Sequence, residues 1–385
     1  MPKARVPSVD ALRGLIMIIM ALDHVRDYFH QYATKFQPDD LTRTTAALFF
    51  TRWITHFCAP VFMFTAGLGA YLWLRPGRTT SELSNFLWKR GLWLVLLELT
   101  ALRLLMNLSL TQGLVFLSIL WAIGWSMVVL GFLVHLPIRP LAIFSVAVIA
   151  LHNLADPIRA ATFGAAAPLW NFLHQQGLFK IAGTPVVVAY PLVPWFAVMA
   201  AGYCFGPILQ LDPPERRRWM LRIGTALTLA FIVIRAVNIY GDPSPWNGTS
   251  ILSFLRVSKY PPSLDFVLMT LGPALLVLAV FDRRTFSRTN PLLVYGKVPL
   301  FYFLAHFALL HATLFVLTYL RYGRVDFLLR PLALGADPKT YPPDFGYPLW
   351  TVYLVWAAVV IALYPACLWF SRLKQRRNDW WLSYL

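Results

Sequence analysis

The chain has 385 residues, 58% of them hydrophobic and 13% charged, with a formal net charge of +17. A soluble domain carries about 25% charged residues, so this composition excludes an ordinary water-soluble globular protein and points to a lipid environment. The surplus of Lys and Arg is spread through short segments between apolar runs, which is the pattern of membrane topology and not of a nucleic-acid-binding face.

The first apolar run, 8–28, is predicted to be a membrane helix and not a removable leader, because its far end is polar and lacks a small-residue cleavage site. It carries Asp10, Arg13, Asp23 and His24. Arg13 and His24 are eleven residues apart, about three turns and about 16 Å of rise, so they share one helix face. Asp10 lies near the same face. The residues between, LIMIIMAL, hold nothing polar, so the stripe has a charged foot and an ionisable head. The plainer alternative is an interfacial ion pair between Asp10 and Arg13, with Asp23, His24 and Arg26 marking an emerging helix end.

The next run, 54–74, follows Arg52 and His56, four apart on one face, and Pro60 is expected to kink it. Further membrane helices are predicted over 88–106, 113–134, 140–154, 188–209, 219–239, 263–281, 298–320 and 348–371, ten in all. Glu98 within LVLLELTALR is expected to need an Arg or His from another helix. Arg103, Arg235 and Asp265 fall near outer helix ends, where each is expected to reach the surface. Asp265 is also open to orienting a histidine or an acceptor. In the ninth helix Tyr302 and His306 share a face, whereas His306 and His311 are about 140° apart. Counted by depth, His24, His56 and His311 reach one level in the outer half. These histidines lack the paired helical spacing of zinc ligands, so no metal is expected. Cys58, Cys204 and Cys367 form no metal or disulfide framework.

The expected architecture is therefore all-α, a single polytopic membrane domain over 1–385 with about ten helices. An eleventh, re-entrant or interfacial, segment remains open near 160–180. With both termini on the cytoplasmic side, 20 of the 34 basic residues fall in inside segments, among them Lys3, Arg5, Arg75, Arg90, the Arg216–Arg218 run, Arg222, Arg283 and Lys297. That asymmetry supports the N-in, C-in orientation. The tail 372–385, basic and rich in tryptophan, suits an inner-leaflet anchor. Loops 155–187, 240–262 and 321–347 are long, and YPPSLDF (260–266) and YPPDFGYP (341–348) are expected to pack as lids over helix ends. No internal repeat supports a transporter built of two similar halves.

The stretch DALRG with a histidine eleven residues beyond its arginine resembles the first helix of the membrane acyltransferase-3 family, in which that arginine and histidine are required. SVDALRG (8–14), DHVRDYFH (23–30), RWITHFCAPVFMFTAG (52–67), YPLVPWFAVMAAGY (190–203), SKYPPSLDFVLMTLGPA (258–274), YGKVPLFYFLAHFALLH (295–311) and RRNDWWLSYL (376–385) resemble, more closely still, bacterial membrane proteins that share the catalytic domain of heparan-α-glucosaminide N-acetyltransferase. The resemblance implies transfer of an acyl group, first of all acetyl, from cytoplasmic acyl-CoA to a sugar or amino-sugar acceptor on the outer face of a bacterial inner membrane. It departs at one position. The lysosomal enzyme has asparagine where an ungapped match places His24, and its histidine falls near His30. Both His24 and His30 therefore stand as candidate bases, with His24 preferred for its gap-free spacing and depth.

In that chemistry Arg13 and the basic inside segments hold the CoA phosphates, with Asp10 beside Arg13. His24 takes the acceptor's proton, with Asp23 or a group from another helix fixing its tautomer. An acyl-histidine intermediate is the other route. Arg52, His56, Tyr302, His306 and His311 are candidates to hold the acceptor or stabilise the oxyanion. The rival classes are a proton-coupled transporter or flippase and a non-catalytic membrane scaffold.

Overall fold

The computed structural model describes residues 6–74, 77–107, 113–329, 340–377 and 379–383. Lys3, Arg5, Arg75, the middle of the 321–347 loop and three residues of the tail lie outside them. The chain opens with α1 (Pro7–Phe29), α2 (Ala46–Thr55), α3 (Cys58–Trp73), α4 (Thr80–Leu97) and the short α5 (Arg103–Asn107). Then come β1 (Val115–Leu117), α6 (Ile119–Leu133), α7 (Ile138–Leu151), α8 (Ala167–Leu173), β2 (Gly177–Ile181) and β3 (Thr184–Val188). The second half holds α9 (Trp195–Phe205), α10 (Pro213–Val237), α11 (Ile251–Leu255), α12 (Leu264–Phe281), α13 (Pro291–Lys297), α14 (Pro299–Tyr322) and α15 (Leu349–Arg376).

A helix stands at each of the ten predicted positions, and the boundaries move where local chemistry dictates. The α4 helix starts eight residues early because Thr79 and Glu82 form a reciprocal capping box. The α9 helix starts late, because β3 occupies the residues before it. Among the described residues six helical segments are long and apolar enough to cross a membrane: Ala46–Trp73, Ile138–Ala155, and helices α10, α12, α14 and α15. Helix α6 and the segment Trp195–Gln210 are apolar but shorter. The chain is a helical, multi-pass membrane protein.

The all-α expectation needs one correction. A small sheet with strand order β1-β3-β2 stands between α5 and α9, with β1 parallel and β2 antiparallel to β3. Its hairpin turns through Ala182 and Gly183, both at positive φ, ahead of a run of β-branched valines. Strand β1 falls at the start of the predicted helix 113–134, and the hairpin falls at the end of the predicted loop 155–187. The segment near 160–180 is a 3₁₀ turn, the short α8 and strand β2, not an eleventh membrane helix.

Helices approach closely where glycine removes the side chain. A Cβ on Gly14 would lie 1.8 Å from the Leu292 carbonyl oxygen, and one on Gly296 would lie 1.8 Å from that of Asp10. This double contact clamps α13 antiparallel to the foot of α1. Without water between helices, such backbone contact replaces the hydrophobic drive for association. Gly14→Val is therefore expected to lower stability by about 3 kcal/mol, seen as a large drop in melting temperature in detergent. Gly69→Ala is the control, because its new Cβ meets only the Arg13 guanidinium at 3.9 Å and it should be neutral or slightly stabilising.

Candidate functional site

The foot of α1 opens on a cavity of about 310 Å³ lined by α1, α3, α4, α6, α13, α14 and α15. Arg13, Arg90, Lys297 and Lys374 contribute four cations to its wall, and among the described residues no carboxylate lines it. The remaining wall is apolar, with Trp73 and Phe86 stacked at 5.0 Å on one side and Met17, Leu300 and Phe303 on another. Arg13 is held in place. Its Nη1 donates to Asp10 Oδ1 at 3.2 Å and to the Gly296 carbonyl at 3.1 Å, and its Nη2 donates to the Thr65 carbonyl at 3.4 Å. The Asp10–Arg13 ion pair of the plainer alternative thus exists, and it fixes a guanidinium at the cavity.

Phe303 lines the cavity and also stands edge-on to His24, ring centres 6.2 Å apart. Beyond it, His24 Nδ1 lies 2.6 Å from His306 Nε2, with the rings stacked at 4.9 Å. His306 is fully buried, and its Nδ1 faces the Tyr302 carbonyl at 3.3 Å. A carbonyl only accepts, so His306 carries its proton on Nδ1 and accepts at Nε2. His24 must then donate from Nδ1, which leaves a lone pair on its Nε2. The sequence stripe predicts Asp23 or a group from another helix as the tautomer-setting partner; the geometry gives that place to His306. Tyr302 OH, one turn before His306, is buried without a hydrogen-bond partner among the described residues.

Asp23 points elsewhere, into a buried cluster of charge. Arg52 Nη1 reaches both its carboxylate oxygens at 2.9 Å, Arg26 lies at 2.8 Å, Lys259 Nζ at 3.8 Å, and Thr55 Oγ1 donates at 2.8 Å. Arg26 also pairs with the exposed Asp27 at 2.6 Å. Among the described residues, Arg26 Nη1 and His56 Nδ1 are buried with no hydrogen-bond partner. Sequence reasoning missed Lys259 entirely. It sits in the loop before α12, and only the fold brings it to α1.

The other predicted site residues scatter. His56 packs on Phe266 at 5.4 Å and His311 packs on Tyr28 at 4.9 Å, so neither meets His24. Equal depth did not mean one cavity, because the three histidines face different neighbours. His30, the second candidate base, is buried at 6% exposure. Its backbone neighbours Phe29 and Gln31 hydrogen-bond Tyr347 of the 341–348 lid, which closes over the end of α1. Burial, with Arg26 beside it, pushes the His30 pKa from 6.5 down to about 4. The folded protein therefore binds fewer protons than the unfolded chain between those values. Stability should fall as pH drops from about 6.5 to 4, and His30→Gln should flatten that fall in melting temperature against pH.

Two further expectations change. Glu98 finds no Arg or His. It accepts from the Ser118 and Trp121 backbone N–H at 2.9 and 3.1 Å and from Ser118 Oγ at 3.0 Å, so it caps the start of α6. Arg235 does not reach the surface. Fully buried, it donates to the carbonyls of Ser244, Ser253, Phe254 and Arg256 at 2.6–3.2 Å and faces Asp242 and Asp265, tying down the 240–262 loop. Asp265 is part of that brace and orients no histidine.

The family model for the heparan-alpha-glucosaminide N-acetyltransferase catalytic domain matches residues 5–244. The chain belongs to this family. The matched region holds Arg13, His24, the Asp23–Arg26–Arg52 part of the charge cluster and Arg90. Lys259, Lys297, His306 and Lys374 come from beyond it, so the histidine pair and the cationic cavity join the family's region to the last helices. No curated protein matches the chain.

Proposed function

We propose that this protein transfers acetyl from acetyl-CoA on the cytoplasmic side of a bacterial inner membrane to a sugar or amino-sugar acceptor on the outer side. The reading takes ten crossings with both termini inside. The observation that carries it is the cavity with four cations at its wall and Phe303 as the partition between it and His24. Its volume lies at the small end of ordinary ligand sites. Phosphates of CoA suit Arg90, Lys297 and Lys374, and the pantetheine arm suits the apolar wall that leads to Phe303.

At the far side of that partition, His24 Nε2 takes the proton of the acceptor amine or hydroxyl as it attacks the thioester carbon. The C–S bond then breaks, and the proton passes to the leaving thiolate. His306 holds His24 in the required tautomer and shares the positive charge while His24 is protonated. Tyr302 OH, one turn away, is a donor for the developing oxyanion. Arg52 and Lys259 supply positive charge on the outer side of His24 for an acceptor. An acyl-histidine formed on His24 Nε2 uses the same tautomer.

The donor half is tested by titrating CoA into the purified protein in detergent. Binding is expected, and Arg90→Gln with Lys297→Gln should weaken it at least tenfold, since each charge-assisted bond is worth about 1.5–3 kcal/mol. Unchanged affinity in the double variant would remove this cavity from the donor's path.

A further inference from the structure

A second pocket lies at the start of α10, away from the cavity beside His24. Its volume is about 370 Å³, and its lining is Pro214, Arg217, Arg218, Leu221, Arg222 and Arg283. Four guanidinium groups and, among the described residues, no carboxylate line it. Of the acids at this corner, Asp282 is already engaged, and Glu215, exposed in the first turn of α10, does not line the pocket. Arg216 holds Asp282 at 2.8 and 3.0 Å, Ser8 Oγ donates to it at 3.3 Å, and Arg217 lies at 3.6 Å. These contacts fix the α10–α12 corner and leave Arg218, Arg222 and Arg283 as surplus positive charge around the pocket.

What stands above the pocket distinguishes its occupant. At about 100° per residue, Arg218 and Arg222 share one stripe of α10 with Leu229, Ile232 and Val233, and all three of these apolar residues are exposed. Trp219, also exposed, sits at the level of the arginines, with Arg222 5.5 Å from its ring centre. Helix α10 is one of the segments long and apolar enough to cross the membrane. A tryptophan and arginines below an apolar stripe mark the interface of a bilayer. A soluble phosphate would use the arginines and leave the stripe unused. A phospholipid uses both: its phosphate in the pocket, its acyl chains along Leu229, Ile232 and Val233.

We propose that this pocket is a specific site for an anionic phospholipid, and that the three surplus guanidinium groups, Arg218, Arg222 and Arg283, suit a headgroup carrying two phosphates. The test is the melting temperature of the full-length protein in detergent with added diphosphatidylglycerol, phosphatidylcholine or inorganic phosphate. Diphosphatidylglycerol should raise it, while phosphatidylcholine and inorganic phosphate at equal phosphate concentration should not. In Arg218→Ala/Arg222→Ala, whose exposed side chains bear little of the fold, the lipid concentration needed for the shift should rise about tenfold or more. An equal shift from inorganic phosphate would make this a soluble-anion site. An equal shift from phosphatidylcholine, or a shift unchanged in the double variant, would overturn the proposal. Native mass spectrometry of retained lipid reads the same difference where the variant's own melting temperature has moved.

Discussion

Replacing His24 by alanine is expected to lower acetyl transfer by about 10²- to 10⁴-fold, the usual contribution of a positioned general base, with CoA binding little changed. The two readouts separate because His24 stands beyond Phe303, outside the cavity that takes the donor. His306 acts through His24, so its variants have a different signature. His306→Ala leaves the His24 Nδ1 proton without its 2.6 Å acceptor, and the ring is free to populate the unproductive tautomer. Turnover should drop by about 10- to 100-fold and the pH–rate profile should shift, whereas a merely structural role would leave the profile in place. His306→Gln, whose amide oxygen accepts the same proton, should recover part of the rate.

The largest stability effect is expected at Asp23. Its carboxylate is the common partner of Arg26 and Lys259, both buried, and of the partly buried Arg52. Asp23→Ala would leave three cations facing one another with little water. Removing one partner of a buried ion pair costs about 3–5 kcal/mol, and the loss here should fall at the upper end. Asp23→Asn keeps the shape and an acceptor for Thr55, and should fall between wild type and alanine. Asp23→Ala/Arg52→Met should recover part of the loss by removing one stranded charge, which a double-mutant cycle reads directly. If Asp23→Ala unfolds at the wild-type temperature, the cluster is not the buried brace its distances indicate.

Much of the fold was legible because hydrophobic runs of membrane length leave few alternatives. The Arg13–His24 stripe was legible for the same reason: eleven residues on a straight helix allow one arrangement. What failed was whatever depends on a second chain segment. Asp23 directly precedes His24 in sequence, yet on a helix the two side chains diverge by about 100°; Asp23 turns to Arg52 and Lys259, while His24 turns to His306. Glu98 was recognised as needing a partner, but a helix start at Ser118 leaves no mark at Glu98 itself. The β2–β3 hairpin was hidden inside a long aromatic loop, although Gly183 ahead of three valines was a signal for it. Lys259 had none, because its neighbours in sequence are turn residues and its role comes entirely from where that turn lands.

The account stands most directly on one measurement: transfer of labelled acetyl from acetyl-CoA to a panel of amino sugars by the purified wild-type protein, beside His24→Ala. Labelled sugar and matching release of CoA thiol from the wild type, both lost in the folded variant, are the predicted result. A folded wild-type protein that binds CoA but releases no thiol with any acceptor, or a His24→Ala variant that transfers as fast as wild type, would contradict it.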